Sequence, residues 1–188
     1  MNNKLIIILI IFFQILFINK LYSKDVQFNA AEIEVLEEGN LTIAYNGSAI
    51  IKDDNISVEG STIRYFKDKS LLIINNGNIK RINNSFFISS EIIEYDIERS
   101  NLNFKNNVKI DDKINNLKIN SEEINYDILN KKIKSESKSE MTDVIGNNYL
   151  VSQFEYNIED EIIKLIDLVV IDNNDNTFAI DIAFLDLK

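Results

Sequence analysis

The strongest candidates for acid–base chemistry in this chain are carboxylates, because its 188 residues include no His and no Cys. A His-based catalytic triad, a thiolate nucleophile and an ordinary zinc site are therefore excluded. Three adjacent acid pairs, Asp53-Asp54, Asp111-Asp112 and Glu122-Glu123, could serve a glycosidase, which needs two positioned carboxylates. All three pairs fall in or beside predicted turns and strand starts, so we expect solvated acids there rather than a catalytic centre.

One acidic segment begins like a calcium-binding loop. Asp172, Asn174 and Asn176 occupy loop positions 1, 3 and 5. Position 6 is Thr177, where Gly is needed, and position 12 is Ala183, where a bidentate Glu belongs. The segment is therefore predicted to be a turn, and we expect no catalytic residue, no metal site and no cofactor in this chain.

Residues 1–23 have the three-part layout of a secretory signal peptide, with a basic start, an apolar run over 5–18 and Ser23 at the cleavage point. The run is shorter than the roughly 20 apolar residues of a membrane-spanning helix, although an uncleaved N-terminal anchor remains the alternative. Cleavage would remove two of the 20 basic residues and none of the 30 acids, which leaves residues 24–188 with a net charge of −12. An exported protein this acidic is a poor candidate for binding nucleic acid.

The elements that position the remaining side chains are set by a repeat. Tyr65, Tyr95, Tyr126 and Tyr156 lie 30, 31 and 30 residues apart, and each ends a similar five-residue pattern. A fifth copy ends at Val35. A fixed period of this length predicts one supersecondary unit stacked several times.

Each copy is predicted to be two strands joined by a short polar turn. Apolar residues alternate with polar ones, and the residue before the tyrosine slot is polar in every copy. Period-two alternation between Asn/Asp/Gly/Ser turns predicts antiparallel strands with one buried face, and the clusters 75–78 and 106–107 are interpreted as such turns. The five outward residues are Glu34, Arg64, Glu94, Asn125 and Glu155.

The alternation shifts by one residue inside each copy, which predicts a bend or bulge in a long strand. Gly60 stands at this point in one copy, and Ser90, Ser121 and Ser152 stand near it in others. Repeated bends curl a sheet over on itself. The predicted fold is therefore all-β: an antiparallel β-jellyroll, a curled and twisted sheet of about 30-residue two-strand repeats around an apolar interior groove.

Four short motifs carry a family resemblance: Glu94-Tyr-Asp96, Asn125-Tyr-Asp127, Asn76-Gly-Asn-Ile79 and Asn106-Asn-Val-Lys-Ile110. Their recurrence after a signal-like segment resembles the OstA-like lipopolysaccharide transport family, which includes LptA and the N-terminal domain of LptD, with LptC more distant. The resemblance covers about residues 26–188, within a predicted OstA-like domain of residues 24–188. The Gly-Asn-Val turn is eroded in the later copies, and because the sequence ends at Lys188 we expect no LptD-type barrel.

This resemblance implies a periplasmic protein, associated with outer-membrane assembly, whose interior shields the lipid A acyl chains of lipopolysaccharide. It implies edge-strand pairing with other Lpt jellyroll proteins or head to tail with its own copies, and it leaves open an LptA-like bridge, a barrel-less LptD relative or an LptC-like anchored protein. The final segment, Phe178 to Leu187, could be such an edge. A β-solenoid enzyme acting on polysaccharide and a structural surface protein are the alternatives.

Nine apolar and tyrosine side chains are predicted to face the interior groove and contact lipid, and an ordinary β core is the alternative interpretation. A buried tyrosine hydroxyl needs a partner, which favours the rim of a groove for the tyrosines. The nine are Ile63, Tyr65, Ile93, Tyr95, Phe104, Ile124, Tyr126, Phe154 and Tyr156.

Overall fold

The computed structural model describes residues 24–81, 86–171 and 176–188. The predicted signal peptide and residues 172–175 of the calcium-like segment lie outside the described residues. No helix within the described ranges is long and apolar enough to cross a membrane.

Thirteen strands make up one sheet in the described part of the chain, and every pairing among them is antiparallel. This confirms the predicted all-β jellyroll class. The strands are β1 Val26–Leu36, β2 Leu41–Ile51, β3 Ile56–Phe66, β4 Leu71–Arg81, β5 Phe86–Asp96, β6 Asn101–Asp112, β7 Leu117–Asp127, β8 Lys132–Ser135, β9 Ser139–Thr142, β10 Asn148–Val151, β11 Gln153–Asn157, β12 Ile162–Ile171 and β13 Thr177–Asp186.

The strands pair in chain order from β1 to β8, and the order then changes because later strands are broken. β8 and β9 both pair with β7, while β10 and β11 both pair with β12. Each of these pairs of short strands therefore takes the place of one long bent strand. β1 pairs only with β2, and β13 pairs only with β12, so these two strands form the edges of the described sheet.

The asparagine clusters that were interpreted as turns are bends inside continuous strands, so that prediction was wrong. β4 runs through residues 75–78, and β6 runs through 106–107. Asn76 has a φ of 46° and Asn106 a φ of 64°, in the left-handed region that Asn tolerates better than most residues. The left-handed residue turns the strand without ending it, which a sequence pattern of Asn and Gly does not distinguish from a hairpin.

Close backbone packing at the bend explains its glycines. Gly47 pairs with Gly60, and a Cβ on Gly60 would lie 2.4 Å from Cγ2 of Ile74. In later strands serine replaces glycine, and the Ser90 hydroxyl donates a 2.8 Å hydrogen bond to the carbonyl of Ile92 beside a register shift. The serine therefore satisfies a carbonyl at the irregular part of the ladder, and the irregularity lies where the parity shift in the sequence predicted a bend or bulge.

The bends fold the sheet into two halves that face each other. We call the half that carries Tyr65, Tyr95, Tyr126 and Tyr156 the tyrosine half-sheet, and the other the opposite half-sheet. Aromatic rings meet between them: the Phe28 and Tyr65 ring centroids are 6.1 Å apart. Buried residues of both halves form one continuous core.

The turns that follow the tyrosine row are joined to one another along one side of the molecule. In each case, the first residue of a turn donates its amide to the carbonyl of the last residue of the preceding turn, at 2.9–3.0 Å. These bonds repeat with the period of the sequence. They join Lys67 to Asn40, Ile97 to Ser70, Ile128 to Ser100 and Ile158 to Lys131.

Candidate functional site

The predicted site residues lie in two neighbouring rows that cross the tyrosine half-sheet. Directly opposed residues in an antiparallel sheet share a face, so strand register assigns the rows. One row runs through Ala44, Ile63, Ile74, Ile93, Phe104 and Ile124. The other runs through Tyr65, Leu72, Tyr95, Leu102, Tyr126, Ile133, Tyr156 and Ile163, and Phe154 lies in β11 opposite Leu165.

All nine predicted residues are buried, and the most exposed of them, Tyr65, retains 8% of its accessible surface. The tyrosine rings therefore lie inside the molecule. The prediction that they lie at an open rim, which came from the need of a buried hydroxyl for a partner, was wrong. The polar residues beside them lie on the outer face. There Glu155 accepts hydrogen bonds from Lys132 at 3.0 Å and Lys134 at 2.9 Å, and these two ammonium groups lower the pKa of its carboxyl.

A third interior row, on the opposite half-sheet, was missing from the predicted site. It packs against the tyrosine half-sheet and closes the interior from the other side. The first apolar pair of each repeat carried the signal for it, since Val58, Ile88 and Ile119 come from those pairs. The row runs through Ala49, Val58, Ile79, Ile88, Ile110, Ile119, Met141 and Tyr149.

Two acids that were expected to be solvated are buried and contact tyrosines of the interior. Asp54 is 8% exposed and Asp112 is 2% exposed. Tyr95 donates its hydroxyl hydrogen bond to Asp54, and Tyr156 donates to Asp112 at 2.6 Å. The expectation of solvated acids was therefore wrong at these two positions, because Asp54, in the turn after β2, and Asp112, the last residue of β6, contact tyrosines of the other half-sheet.

Burial, together with these contacts, raises the pKa of both tyrosines. Burial raises the pKa of Tyr95 far above its ordinary value, and the hydrogen bond to Asp54 adds to the shift. Burial likewise raises the pKa of Tyr156, followed by its hydrogen bond to Asp112. Both phenols are therefore neutral donors at physiological pH, and neither is suited to act as a base.

The two ends of the interior expose apolar side chains. On β1, Ile33 is 46% exposed and lies opposite the fully buried Ala44. On β13, Ile180 is 45% exposed and lies opposite Leu168, while Phe178 is 52% exposed. These residues share the inward face of their neighbours but lack a further strand to cover them, so the apolar rows reach solvent at both edges of the sheet.

A cavity of about 720 Å³ lies on the outer face, away from the interior rows. Its lining includes Lys109, Asn120, Glu140 and Leu150, which lie opposite one another across β6, β7, β9 and β10. Charges of both signs line this surface. Apolar side chains such as Leu150 and Val169 share this surface with the polar ones, and the cavity does not extend the interior rows.

No protein-family model matches the chain, and no curated protein sequence matches it. Among solved structures, one similar chain is that of LptH, described as the LptA-homologous periplasmic component of the lipopolysaccharide transport device of Pseudomonas aeruginosa. The two chains are 12% identical with a TM-score of 0.47, and the match covers 56% of this chain and 77% of LptH.

Proposed function

We propose that this protein is a periplasmic carrier of lipopolysaccharide that holds the lipid A acyl chains between its two half-sheets. The observation that carries the proposal is the set of apolar rows that crosses the sheet and reaches solvent at both of its edge strands. Such an interior can replace water around an acyl chain along a continuous path. The motif resemblance of the sequence to the OstA-like transport family supports the same cargo.

The energetics suit a carrier. Each buried methylene contributes roughly 0.8 kcal/mol, so a chain of about ten carbons that is half buried would be held by about 4 kcal/mol. This is enough to hold the chain out of water, and it is small enough for transfer to a similar wall nearby. The rows change little in character from β3 to β12, so an acyl chain would meet similar surroundings along the whole interior.

The edge strands support a bridging role. β1 and β13 each pair on one side only within the described sheet, and an edge strand with unpaired backbone groups can add a strand of another protein. Pairing there would place the exposed Ile33 and Phe178 against the interior of a neighbour. We propose that other Lpt jellyrolls, or further copies of this chain, extend the interior in this way between the inner and outer membranes.

The alternative function, a β-solenoid enzyme acting on polysaccharide, has less support. A parallel β-solenoid would stack its strands in parallel, whereas all described pairings are antiparallel. The acid pairs that could have served a glycosidase are split, since Asp54 and Asp112 are engaged by tyrosines while Asp53 and the Glu122-Glu123 pair are exposed.

Site-specific photo-crosslinking in cells tests the proposal. A benzophenone amino acid at Tyr126, inside the tyrosine row, or at Phe178, at the open end, is expected to capture lipopolysaccharide. The matched control is Glu34, a half-buried residue on the outer face of β1. Crosslinks to protein alone from every inward position, with no lipid adduct, would refute the lipid-carrier function.

A further inference from the structure

The two half-sheets meet along a line that is held differently from the rest of the fold. We call this line the seam: it lies where the turns after the tyrosine row, such as 97–100, meet turns at the other strand ends, such as 52–55. Among the described residues, no strand pairing and no backbone hydrogen bond joins the two sides of the seam. Elsewhere, adjacent long strands share ladders of nine or ten opposed residues.

The first contact across the seam centres on Asp54, whose side chain is 4% exposed. It accepts hydrogen bonds from the Tyr95 hydroxyl and, at 2.9 Å, from Ser100. Lys24 lies 2.7 Å from the same carboxylate and also contacts the Ser100 hydroxyl. A buried carboxylate is costly unless it is paired and hydrogen-bonded, so this group favours the closed arrangement in which all three partners are present.

The second contact lies further along the seam. Asp112 accepts a 2.6 Å hydrogen bond from the Tyr156 hydroxyl, and the Asn115 amide donates to that hydroxyl at 2.8 Å. Asn115 also donates to Asp112 at 2.9 Å, and its turn is fixed by backbone amides that donate to the same carboxylate. We refer to the Asp54–Tyr95–Ser100–Lys24 and Asp112–Tyr156–Asn115 groups as the two latches.

The bend opposite the seam can act as a hinge. Gly47, Gly60 and Gly77 leave no side chains at the bend of three successive strands. Within the described ranges, opening at the seam breaks side-chain contacts alone, whereas opening between adjacent strands breaks a backbone ladder. The interior rows are filled by their own side chains, and none of the nine predicted lipid contacts is more than 8% exposed. A bulky acyl ligand therefore needs an opening along the strands as well as at the ends.

We propose that the seam is a lateral entrance to the interior, and that the two latches keep it closed until an acyl-bearing ligand is loaded. This inference rests on the proposed lipid-carrier function and names how that site is entered. Because the latches tie opposite ends of bent strands, releasing them separates the half-sheets without unpairing any strand. The latch residues are thus positioning residues, which control access and need not touch the ligand.

The first test needs no ligand. Ala44, in the interior row, is fully buried, and Ala44→Cys introduces a small reporter thiol into a chain that has no cysteine. The rate of maleimide labelling is compared between Tyr95→Phe/Tyr156→Phe and the control Tyr65→Phe, which shares the row but makes no hydroxyl hydrogen bond within the described residues. We expect labelling at least tenfold faster in the double variant, with circular dichroism unchanged in both. Equal labelling rates in the double variant and the control would refute the proposal that the latches keep the seam closed.

The second test locks the seam. Asp54→Cys/Ser100→Cys places two thiols across it, where a short bis-maleimide can join them. Loading of fluorescent lipopolysaccharide is measured by stopped flow for the joined and unjoined protein, and we expect joining to slow loading at least tenfold. Equal loading rates would show entry through the ends and refute the lateral entrance while leaving the carrier function standing. If neither the unjoined nor the wild-type protein bound lipopolysaccharide, the carrier function would fail together with the entrance, and labelling at residue 44 would still decide whether the latches close the seam.

Discussion

Replacing Tyr95 with Phe removes one hydroxyl from the interior and leaves the aromatic ring in place. The hydroxyl donates to a carboxylate with 4% side-chain exposure, and hydrogen bonds to charged groups contribute about 1.5–3 kcal/mol to stability. Lys24 and Ser100 remain on Asp54 in the variant, so the loss belongs in the lower part of that range. We expect Tyr95→Phe to reduce the free energy of unfolding by about 1.5–2.5 kcal/mol.

Urea unfolding followed by circular dichroism measures this change. For a protein of this size, a loss of that magnitude lowers Tm by about 3–10 °C, taking 2–4 °C per kcal/mol. Tyr65→Phe is the matched control, since its ring occupies the same row and its hydroxyl has no hydrogen-bond partner among the described residues. We expect the control to change stability by less than about 0.5 kcal/mol. If the two variants were equally stable, the Asp54 contact would contribute nothing and the latch would lose its energetic basis.

Four further changes test other parts of the structure. Because burial and a carboxylate partner raise the pKa of Tyr95 and Tyr156 in the folded state, the stability they contribute should be fully present below about pH 10 and fall above it by about 1.4 kcal/mol per pH unit for each phenol; an equal fall of stability with pH in Tyr95→Phe/Tyr156→Phe would contradict this. Gly60→Ala places a Cβ 2.4 Å from Ile74 and should cost about 1–3 kcal/mol in urea unfolding. Phe104→Ala should cost about 3–5 kcal/mol in the same assay, and a loss below 1 kcal/mol would indicate a loosely packed interior. Glu155→Gln, on the outer face, should cost less than about 1 kcal/mol, and the difference should shrink in 1 M salt.

Much of the interior could be predicted from the sequence because the repeat supplies its own evidence. The polar residue between each Ile and Tyr marks the outer face, and five copies agree on its direction. Register then follows, since a slip of one residue would place Glu94 inside and Ile93 outside. The bends were also predictable at Gly60 and Ser90, where the alternation changes parity.

The seam could not be predicted in the same way, because its contacts join residues 41 and 44 positions apart that belong to different repeats. A local pattern places Asp54 and Asp112 in or beside turns, and turns are usually solvated. Their burial depends on how far the sheet curls, which is the sum of several bends and of the twist between strands. The prediction of turns at the asparagine clusters was wrong for a related reason, since a left-handed Asn serves equally in a hairpin turn and in a bent strand.

The polar contacts hold the two half-sheets together less strongly at the seam than neighbouring strands are held to one another. In the described residues, hydrogen-bonded ladders hold each strand to its neighbours, and backbone bonds between successive turns hold one repeat to the next. Among the described residues only side chains cross the seam, and the buried acids there are stable when their partners are in place. A protein that needed only a solid core could fill this line with apolar residues, which would remove the desolvation cost of two carboxylates. Placing acids there instead makes closure depend on a few specific contacts, so the half-sheets can separate at the seam while each retains its strand pairing.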